Sequence, residues 1–228
     1  MSETDVSETQ QKSPSPVRRS LLWRCSQLFF QFLFAIWLRY RARGMENLPQ
    51  SGGALLLINH GSFLDPVLVG LPLTRPVSYL ARDSLFRVPL LGWFLKNTCV
   101  MSINRKSASS SSIKESIRRI EDGFLVGLFP EGTRTSDGTV GPFKPGFLAI
   151  SKRIQQPIYP VGIAGAFEAL PRGCRFLRPG KIRVVFGKPI ATADLEKYSS
   201  KGQSKELVQF IREQVIACQQ EAQKWRDS

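Results

Sequence analysis

Short apolar runs that alternate with longer, helix-like stretches constrain the fold of this chain more than any other feature. Six such runs are residues 54–58, 77–81, 99–103, 124–129, 158–163 and 182–186. Their lengths and apolar side chains predict β-strands. Residues 107–121 and 203–225 instead carry apolar side chains at the spacing of one helix face. The alternation predicts an α/β sandwich.

The chain has 228 residues, enough for one large domain with its own hydrophobic core. Residues 1–16 are rich in Ser, Thr, Glu and Pro and contain almost no apolar side chains, which predicts a disordered tail. We expect residues 17–43 to form a separate helical segment and residues 44–228 to form the main domain.

The segment 21–38 is rich in Leu, Phe and Trp but is too short and too interrupted to span a bilayer. Polar interruptions come from Arg24, Gln27 and Gln31, and further arginines flank the apolar part at positions 18, 19, 39, 41 and 43. Basic flanks around an aromatic-rich body are typical of a helix that lies in the lipid headgroup layer. We therefore expect residues 17–43 to associate with an anionic membrane surface. The alternative is a first helix packed into the core.

A formal net charge of +14 predicts a polyanionic partner, which could be nucleic acid, an anionic membrane or a phosphorylated small molecule. Nucleic acid is disfavoured because the chain has no zinc-finger spacing, RNA-binding aromatic signature or basic heptad array. The four cysteines lie far apart without metal-ligand spacing, which predicts reduced thiols in a cytoplasmic compartment. We accordingly expect a membrane-associated protein on the cytoplasmic face.

The single histidine, His60, excludes a His-rich metal site and must carry any imidazole chemistry at neutral pH. It lies in the motif NHGSFLDP at residues 59–66, between an apolar strand and an apolar helix, where α/β folds commonly place their sites. His60 can meet Asp65 if His60 stands in the loop and Asp65 in the first helical turn. Asp65 would then orient the imidazole, which could act as a general base. The alternative is a capping Asp beside an ordinary histidine.

A second polar motif, FPEGTRT at residues 129–135, follows another predicted strand. Arg134 offers a fork of donors suited to a phosphate, Gly132 allows close backbone approach, and Thr133 adds a hydroxyl group. Glu131 is better suited to hold Arg134 or a glycerol hydroxyl. The alternative is an ordinary charged turn. If the strands are parallel, both motifs face one cleft.

Together the two motifs resemble the paired signature of the glycerolipid acyltransferase family, and in particular 1-acylglycerol-3-phosphate acyltransferases. The resemblance runs from about residue 44 to residue 190 and includes residues 81–86, 102–105 and 157–162. It implies a mixed, largely parallel sheet flanked by helices. It also implies a catalytic dyad of His60 and Asp65, and contacts to the acceptor from Glu131, Gly132, Thr133, Arg134 and Arg105. Arg105 could instead be a surface charge that caps its strand.

The activity implied by this resemblance is acyl transfer from acyl-CoA or acyl carrier protein to the free hydroxyl of 1-acylglycerol-3-phosphate. The thioester serves as co-substrate, so no further cofactor and no metal are expected. Ser62 and Cys99 are alternative nucleophiles for a covalent route. The alternatives in function are another lysolipid acceptor, hydrolysis, or a lipid-binding module without catalysis.

Overall fold

The computed structural model of the protein describes residues 21–96, 98–103, 108–174, 176–198, 200 and 202–228. Its helices are α1 (Leu21–Trp37), α2 (Asp65–Gly70), α3 (Asp83–Phe86), α4 (Pro89–Lys96), α5 (Ala108–Glu121), α6 (Leu148–Ser151), α7 (Ala166–Ala169), α8 (Thr192–Glu196) and α9 (Ser204–Asp227). Its strands are β1 (Arg41–Arg43), β2 (Ala54–Ile58), β3 (Val77–Arg82), β4 (Met101–Ile103), β5 (Leu125–Leu128), β6 (Ile158–Ala164) and β7 (Arg183–Phe186). The tail predicted at residues 1–16, and Arg105, lie outside the described residues.

Within this described part, seven strands form one sheet in the order β1-β7-β6-β2-β5-β3-β4. Five of them, from β2 to β6, run in the same direction, whereas β6 and β7 are antiparallel and β7 pairs in parallel with β1. The sheet is mixed and largely parallel, and each predicted apolar run contains a strand. The prediction of a mixed, largely parallel sheet flanked by helices is therefore confirmed.

Side chains from both faces of the sheet enter separate hydrophobic clusters. In β2, Leu56 and Ile58 pack toward α1 and α2, whereas Leu55 and Leu57 pack toward α5, α6 and α9. All four are fully buried. Burial on both faces explains why this strand is an unbroken apolar run, and each such side chain contributes about 1.5–3 kcal/mol.

Helix α9 lies close against β6 because β6 contains a glycine at the crossing. A Cβ atom on Gly162 would stand 2.2 Å from the carbonyl carbon of Cys218 and from the backbone nitrogen of Gln219. The buried face of α9 comprises Leu207, Ile211, Val215, Cys218 and Ala222. This face has the helical spacing that the sequence predicts for residues 203–225.

Helix α1 has one face in the core and one face exposed. Phe34 is buried, and Gln27 and Gln31 donate side-chain hydrogen bonds to the carbonyl of Leu71, at 2.8 Å each. Large apolar side chains on the other face are exposed: Leu21, Leu28, Phe29, Phe32, Leu33, Ile36 and Trp37. The predicted helix is thus present, and its buried face matches the alternative of a first helix packed into the core.

Strand β1 lies inside the segment 17–43, for which the sequence predicts a helix. Its residues pair with β7, from Arg41 opposite Arg183 to Arg43 opposite Val185. Residues 41–43 are therefore part of the sheet rather than of the helical segment. Among the helices in the described ranges, none is both long and apolar enough to cross a membrane.

Candidate functional site

The two motifs meet at one edge of the sheet because β2 and β5 are parallel neighbours, with Leu57 opposite Leu128. His60 stands in the loop that follows β2, and Asp65 is the first residue of α2. The Nδ1 atom of His60 lies 2.8 Å from Oδ2 of Asp65. The predicted pairing of a loop histidine with an aspartate in the first helical turn is confirmed.

Asp65 is fully buried, and one of its oxygens accepts three hydrogen bonds. Besides the imidazole, the backbone N–H groups of Gly61 and Ser62 donate to Oδ2 at 2.8 Å each. Burial raises the pKa of Asp65, and the hydrogen bond and charge of His60 oppose that rise. Because Oδ2 accepts from Nδ1–H, the arrangement leaves the second ring nitrogen of His60, Nε2, free to take a proton.

Ser62 and Cys99, the alternative nucleophiles, have environments unsuited to that role. Ser62 is fully buried, and its hydroxyl donates to the carbonyl of Leu170 at 2.9 Å and accepts from the backbone N–H of Leu64 at 3.3 Å. Burial raises the pKa of the Cys99 thiol. The positive charge of Arg119 lowers this pKa, but by less than burial raises it. A raised pKa disfavours the reactive thiolate. Neither residue lines the cleft described below.

Glu131 connects the two motifs through backbone hydrogen bonds. Its Oε1 accepts from the N–H of His60 at 2.7 Å, and its Oε2 accepts from the N–H of Gly141 at 3.0 Å. The backbone N–H of Thr135 in turn donates to the carbonyl of His60 at 2.8 Å. Burial raises the pKa of Glu131. Because each carboxylate oxygen accepts from a backbone N–H group, Glu131 holds the His60 loop against the second motif. The contact of Glu131 with the acceptor or with Arg134, which the sequence predicts, stays a prediction.

An open cleft of about 500 Å³ lies in front of His60. Three cationic residues contribute to its lining, Arg134, Lys144 and Arg172. The ring of Phe129 also lines the cleft and stacks on the imidazole, with 4.2 Å between ring centroids. The cleft therefore brings a positioned imidazole and three cationic side chains into one space.

Of the residues predicted to contact the acceptor, Gly132, Thr133 and Arg134 line this cleft. Gly132 has a φ of +71°, and a Cβ atom there would stand 3.0 Å from Nζ of Lys144. The left-handed backbone conformation therefore favours glycine at this position.

Among the residues that line the cleft, Phe129 and Lys144 received no role from the sequence. Phe129 belongs to the second motif, but its stacking on His60 depends on the pairing of two distant strands. Lys144 follows a loop with no distinctive spacing, and the hydrogen bond from its N–H to the carbonyl of Pro130, at 2.9 Å, brings it to the second motif. No signal in a single sequence identifies that contact.

Comparison with known proteins decides the family. The model of the acyltransferase family matches residues 39–164, more than half of the chain. The chain belongs to this family. The match includes both motifs and ends with β6, so it covers the lining residues of the cleft except Arg172.

Several relatives of this chain are named as enzymes of one activity. A chloroplastic 1-acyl-sn-glycerol-3-phosphate acyltransferase of Brassica napus is 33% identical over 159 residues, which are 67% of this chain and 46% of the plant protein. A 1-acyl-sn-glycerol-3-phosphate acyltransferase of Bacillus subtilis is 29% identical over 171 residues, covering 75% of this chain and 83% of that protein. The chain thus spans about half the length of the plant relative and most of the bacterial one.

The fold is also similar to that of a solved structure. The crystal structure of the 1-acyl-sn-glycerophosphate acyltransferase PlsC from Thermotoga maritima superposes with a TM-score of 0.74 and 24% sequence identity. The superposition covers 88% of this chain and 79% of that chain. This likeness is one of fold, and it agrees with the mixed α/β sheet flanked by helices described above.

Proposed function

We propose that this protein transfers an acyl group from a thioester donor to the free hydroxyl of 1-acylglycerol-3-phosphate and so forms phosphatidic acid. The observation that carries the proposal is the cleft, in which an imidazole held by a buried carboxylate faces three cationic side chains. The names of the relatives support the same substrate class. The donor is acyl-CoA or acyl carrier protein.

The proposed reaction is direct transfer. Nε2 of His60 removes the proton from the acceptor hydroxyl as its oxygen forms a bond to the thioester carbonyl carbon. The carbon–sulfur bond then breaks, and the imidazolium returns the proton to the leaving thiolate. Asp65 stabilises the imidazolium between these steps. No covalent enzyme intermediate is required.

The test is to incubate purified protein with lysolipids and acyl donors and identify the lipids by mass spectrometry. We expect diacyl phosphate lipid to form from the phosphate-bearing acceptor, and much less product from an acceptor that lacks the phosphate. Release of free fatty acid without acylated lipid would identify a hydrolase. The absence of both products would favour a lipid-binding module.

The acceptor phosphate is proposed to lie among Arg134, Lys144 and Arg172. Arg134 provides a planar fork that can donate two parallel hydrogen bonds, whereas Lys144 provides a point charge. Arg134 and Lys144 lie in the loop between β5 and α6, and Arg172 lies in the loop after α7. A phosphate among the three cations would fix the orientation of the acceptor. That orientation would present its free hydroxyl to His60. Arg105 remains a predicted acceptor contact outside the described residues.

Exchange of Arg134 for lysine is expected to impair transfer to the phosphate-bearing acceptor about tenfold or more, although the charge is retained. An ammonium group cannot replace a bidentate fork, and one good charged hydrogen bond is worth roughly 1.5–3 kcal/mol. The measurement is kcat/KM for acceptors with and without phosphate. Arg153→Lys, at an exposed site away from the cleft, is the matched control. Unchanged discrimination between the two acceptors in Arg134→Lys would remove Arg134 as the phosphate ligand.

A separate apolar cavity of about 130 Å³ lies beside α2, the helix that begins at Asp65. Its lining comes from α1, α2, β3 and α4 and includes Phe30, Pro66, Val67, Tyr79 and Phe94. Pro66 follows Asp65 directly, so the cavity lies next to the proposed reaction centre. We propose that it holds part of the acyl chain of one substrate.

Membrane association is proposed through the exposed face of α1. Large apolar side chains on this face are exposed to solvent, among them Phe29, Phe32 and Ile36, and Leu90 and Trp93 of α4 are exposed as well. A contiguous apolar surface of this kind is typical of a lipid or protein contact. The proposed location is the cytoplasmic face of an anionic membrane.

The exposed face of α1 gives a test that leaves the sheet intact. Phe32→Gln/Ile36→Gln changes side chains that are 72% and 64% exposed, so the fold is expected to be retained. We expect vesicle binding to weaken about tenfold or more, since each inserted apolar side chain contributes up to about 1.5–3 kcal/mol. Vesicle co-sedimentation and thermal unfolding are the measurements. Unchanged vesicle affinity in the folded variant would place the membrane contact elsewhere.

A further inference from the structure

A second cavity, of about 610 Å³, lies at the edge of the sheet formed by β1. It is bounded by the end of α1, the starts of β1 and β7, and the end of α9. Its lining residues are Ala35, Arg39, Tyr40, Arg41, Lys181, Arg183, Trp225 and Ser228. None of them lines the proposed catalytic cleft. Since β7 and β6 separate β1 from β2, these two strands are about 14 Å apart across the sheet.

The side chains that line this cavity are strongly cationic. Four of them are basic and, among the described lining residues, none is acidic. Two carboxylates on the neighbouring helices are engaged with other cations: Glu221 pairs with Arg43 at 2.6 Å, and Glu168 pairs with Arg226. Four gathered cations repel one another unless an anion joins them. The cavity therefore has the charge of an anion-binding site.

Arg183 is the buried cationic side chain of this site. It is only 7% exposed, its Nη1 donates to the carbonyls of Arg39 and Ile182 at 2.6 and 2.9 Å, and its buried Nε has no hydrogen-bond partner. The ring of Trp225 lies 5.0 Å from its guanidinium carbon. Burial lowers the pKa of Arg183, and the charge of Arg41 lowers it further. The two carbonyls and the ring of Trp225 therefore hold the guanidinium in place, so that Arg183 provides a fixed positive charge at the wall of the cavity.

The backbone at Arg39 supports the same arrangement. Arg39 has a φ of +39°, in the left-handed region that side chains other than glycine rarely adopt. This is also the residue whose carbonyl accepts from Arg183. The local strain therefore coincides with a contact that orients the buried guanidinium.

The position of the cavity indicates the source of the anion. A neighbouring groove shares Arg39 and Lys181 with the cavity and is also lined by Ile36 and Trp37, both exposed at the end of α1. These apolar side chains belong to the face proposed to enter the membrane. A lipid bound there would place its chains along α1 and its headgroup at the basic cavity.

We propose that this cavity binds the phosphate of an anionic glycerophospholipid that is neither substrate nor product of the catalytic cleft. The lipid would fix the enzyme on the membrane through a specific contact, in addition to diffuse attraction between the basic protein and the surface. The source of the lipid rests on the proposed membrane association, whereas the site itself rests on the cavity and on Arg183.

Short-chain phosphatidylglycerol is a suitable probe, because its phosphodiester differs from the phosphate monoester of the proposed substrate. Isothermal titration below the micelle concentration compares wild type with Arg41→Gln/Lys181→Gln, which removes two cations from the rim and leaves Arg183 in place. Lys114→Gln/Arg153→Gln removes two exposed charges elsewhere and is the matched control. We expect the rim variant to lose roughly tenfold or more in affinity. The control is expected to change less than about twofold.

Further measurements identify the ligand and distinguish failure of this proposal from failure of the proposed activity. Binding to phosphatidylcholine vesicles that contain phosphatidylglycerol should fall in the rim variant, whereas binding to pure phosphatidylcholine vesicles should not. Acyl transfer to a soluble short-chain acceptor without anionic lipid should be unchanged in that variant. Equal losses of phosphatidylglycerol affinity in the rim and control variants would show that binding depends only on the overall positive charge, and this result would overturn the proposal. So would saturable binding of inorganic phosphate or coenzyme A at the rim cations without binding of the lipid.

Discussion

Replacement of His60 by alanine is expected to lower the turnover of acyl transfer about a hundredfold or more, which is the usual loss on removing a general base. His60 is the only histidine in the chain, so no other imidazole can substitute for it. Its backbone contacts to Glu131 and Thr135 do not involve the side chain and remain in the variant. The loss should therefore appear in kcat while the fold is retained.

The measurement is kcat with saturating donor and acceptor, together with circular dichroism on heating. His60→Gln is the companion variant, because glutamine retains an N–H donor near Asp65 but has no basic nitrogen. An equally large loss in both variants assigns the effect to proton transfer rather than to packing against Phe129. Near-normal turnover in a folded His60→Ala protein would contradict the dyad.

A strand that is buried on both faces was predictable from the sequence, because such a strand is a continuous apolar run. In β2 every residue is buried, and the apolar run from Ala54 to Ile58 coincides with the strand. Strand β1 has the sequence Arg-Ala-Arg and no such pattern. It is held instead by its pairing with β7 and by the hydrogen bond from the N–H of Arg41 to the carbonyl of Ile182, at 3.1 Å. Contacts with a partner that is distant in sequence cannot be inferred from three residues.

The contact between His60 and Asp65 was predictable because the two residues are five positions apart and their contact requires only local geometry. The backbone contacts of Glu131 were not predictable, because a sequence shows that a residue is charged but not that it is buried. A carboxylate that is 5% exposed and bonded to two backbone N–H groups has a structural function. The stacking of Phe129 on His60 and the approach of Lys144 likewise depend on tertiary contacts.

Helix α1 combines features of two interpretations of its segment, a helix on the membrane surface and a first helix packed into the core. Its glutamines appeared as interruptions of an apolar run, yet Gln27 and Gln31 bind the carbonyl of Leu71 and anchor the helix to the domain. Phe34 lies in the core while Phe32 is 72% exposed. Deletion of residues 1–43 would therefore remove part of the core and strand β1. Substitution on the exposed face tests membrane contact without that loss.

Replacement of Asp65 by asparagine is expected to lower kcat by about 10² to 10⁴. The amide oxygen of asparagine can accept the same three hydrogen bonds as Oδ2, from His60, Gly61 and Ser62. The negative charge is lost, however, so the imidazolium formed during the reaction is no longer stabilised. Asp65 does not line the cleft, so the KM for the acceptor should change little.

The same substitution has a structural cost that must be separated from catalysis. The amide nitrogen would occupy the place of Oδ1, which is buried without a hydrogen-bond partner, at a cost of about 1–3 kcal/mol. Activity is therefore normalised to the folded fraction determined by thermal unfolding. Asp83→Asn, which alters an exposed carboxylate paired with Arg87, is the control and should leave kcat unchanged. A folded Asp65→Asn protein with kcat within about threefold of wild type would show that His60 works without the buried charge, since general base catalysis contributes far more than that.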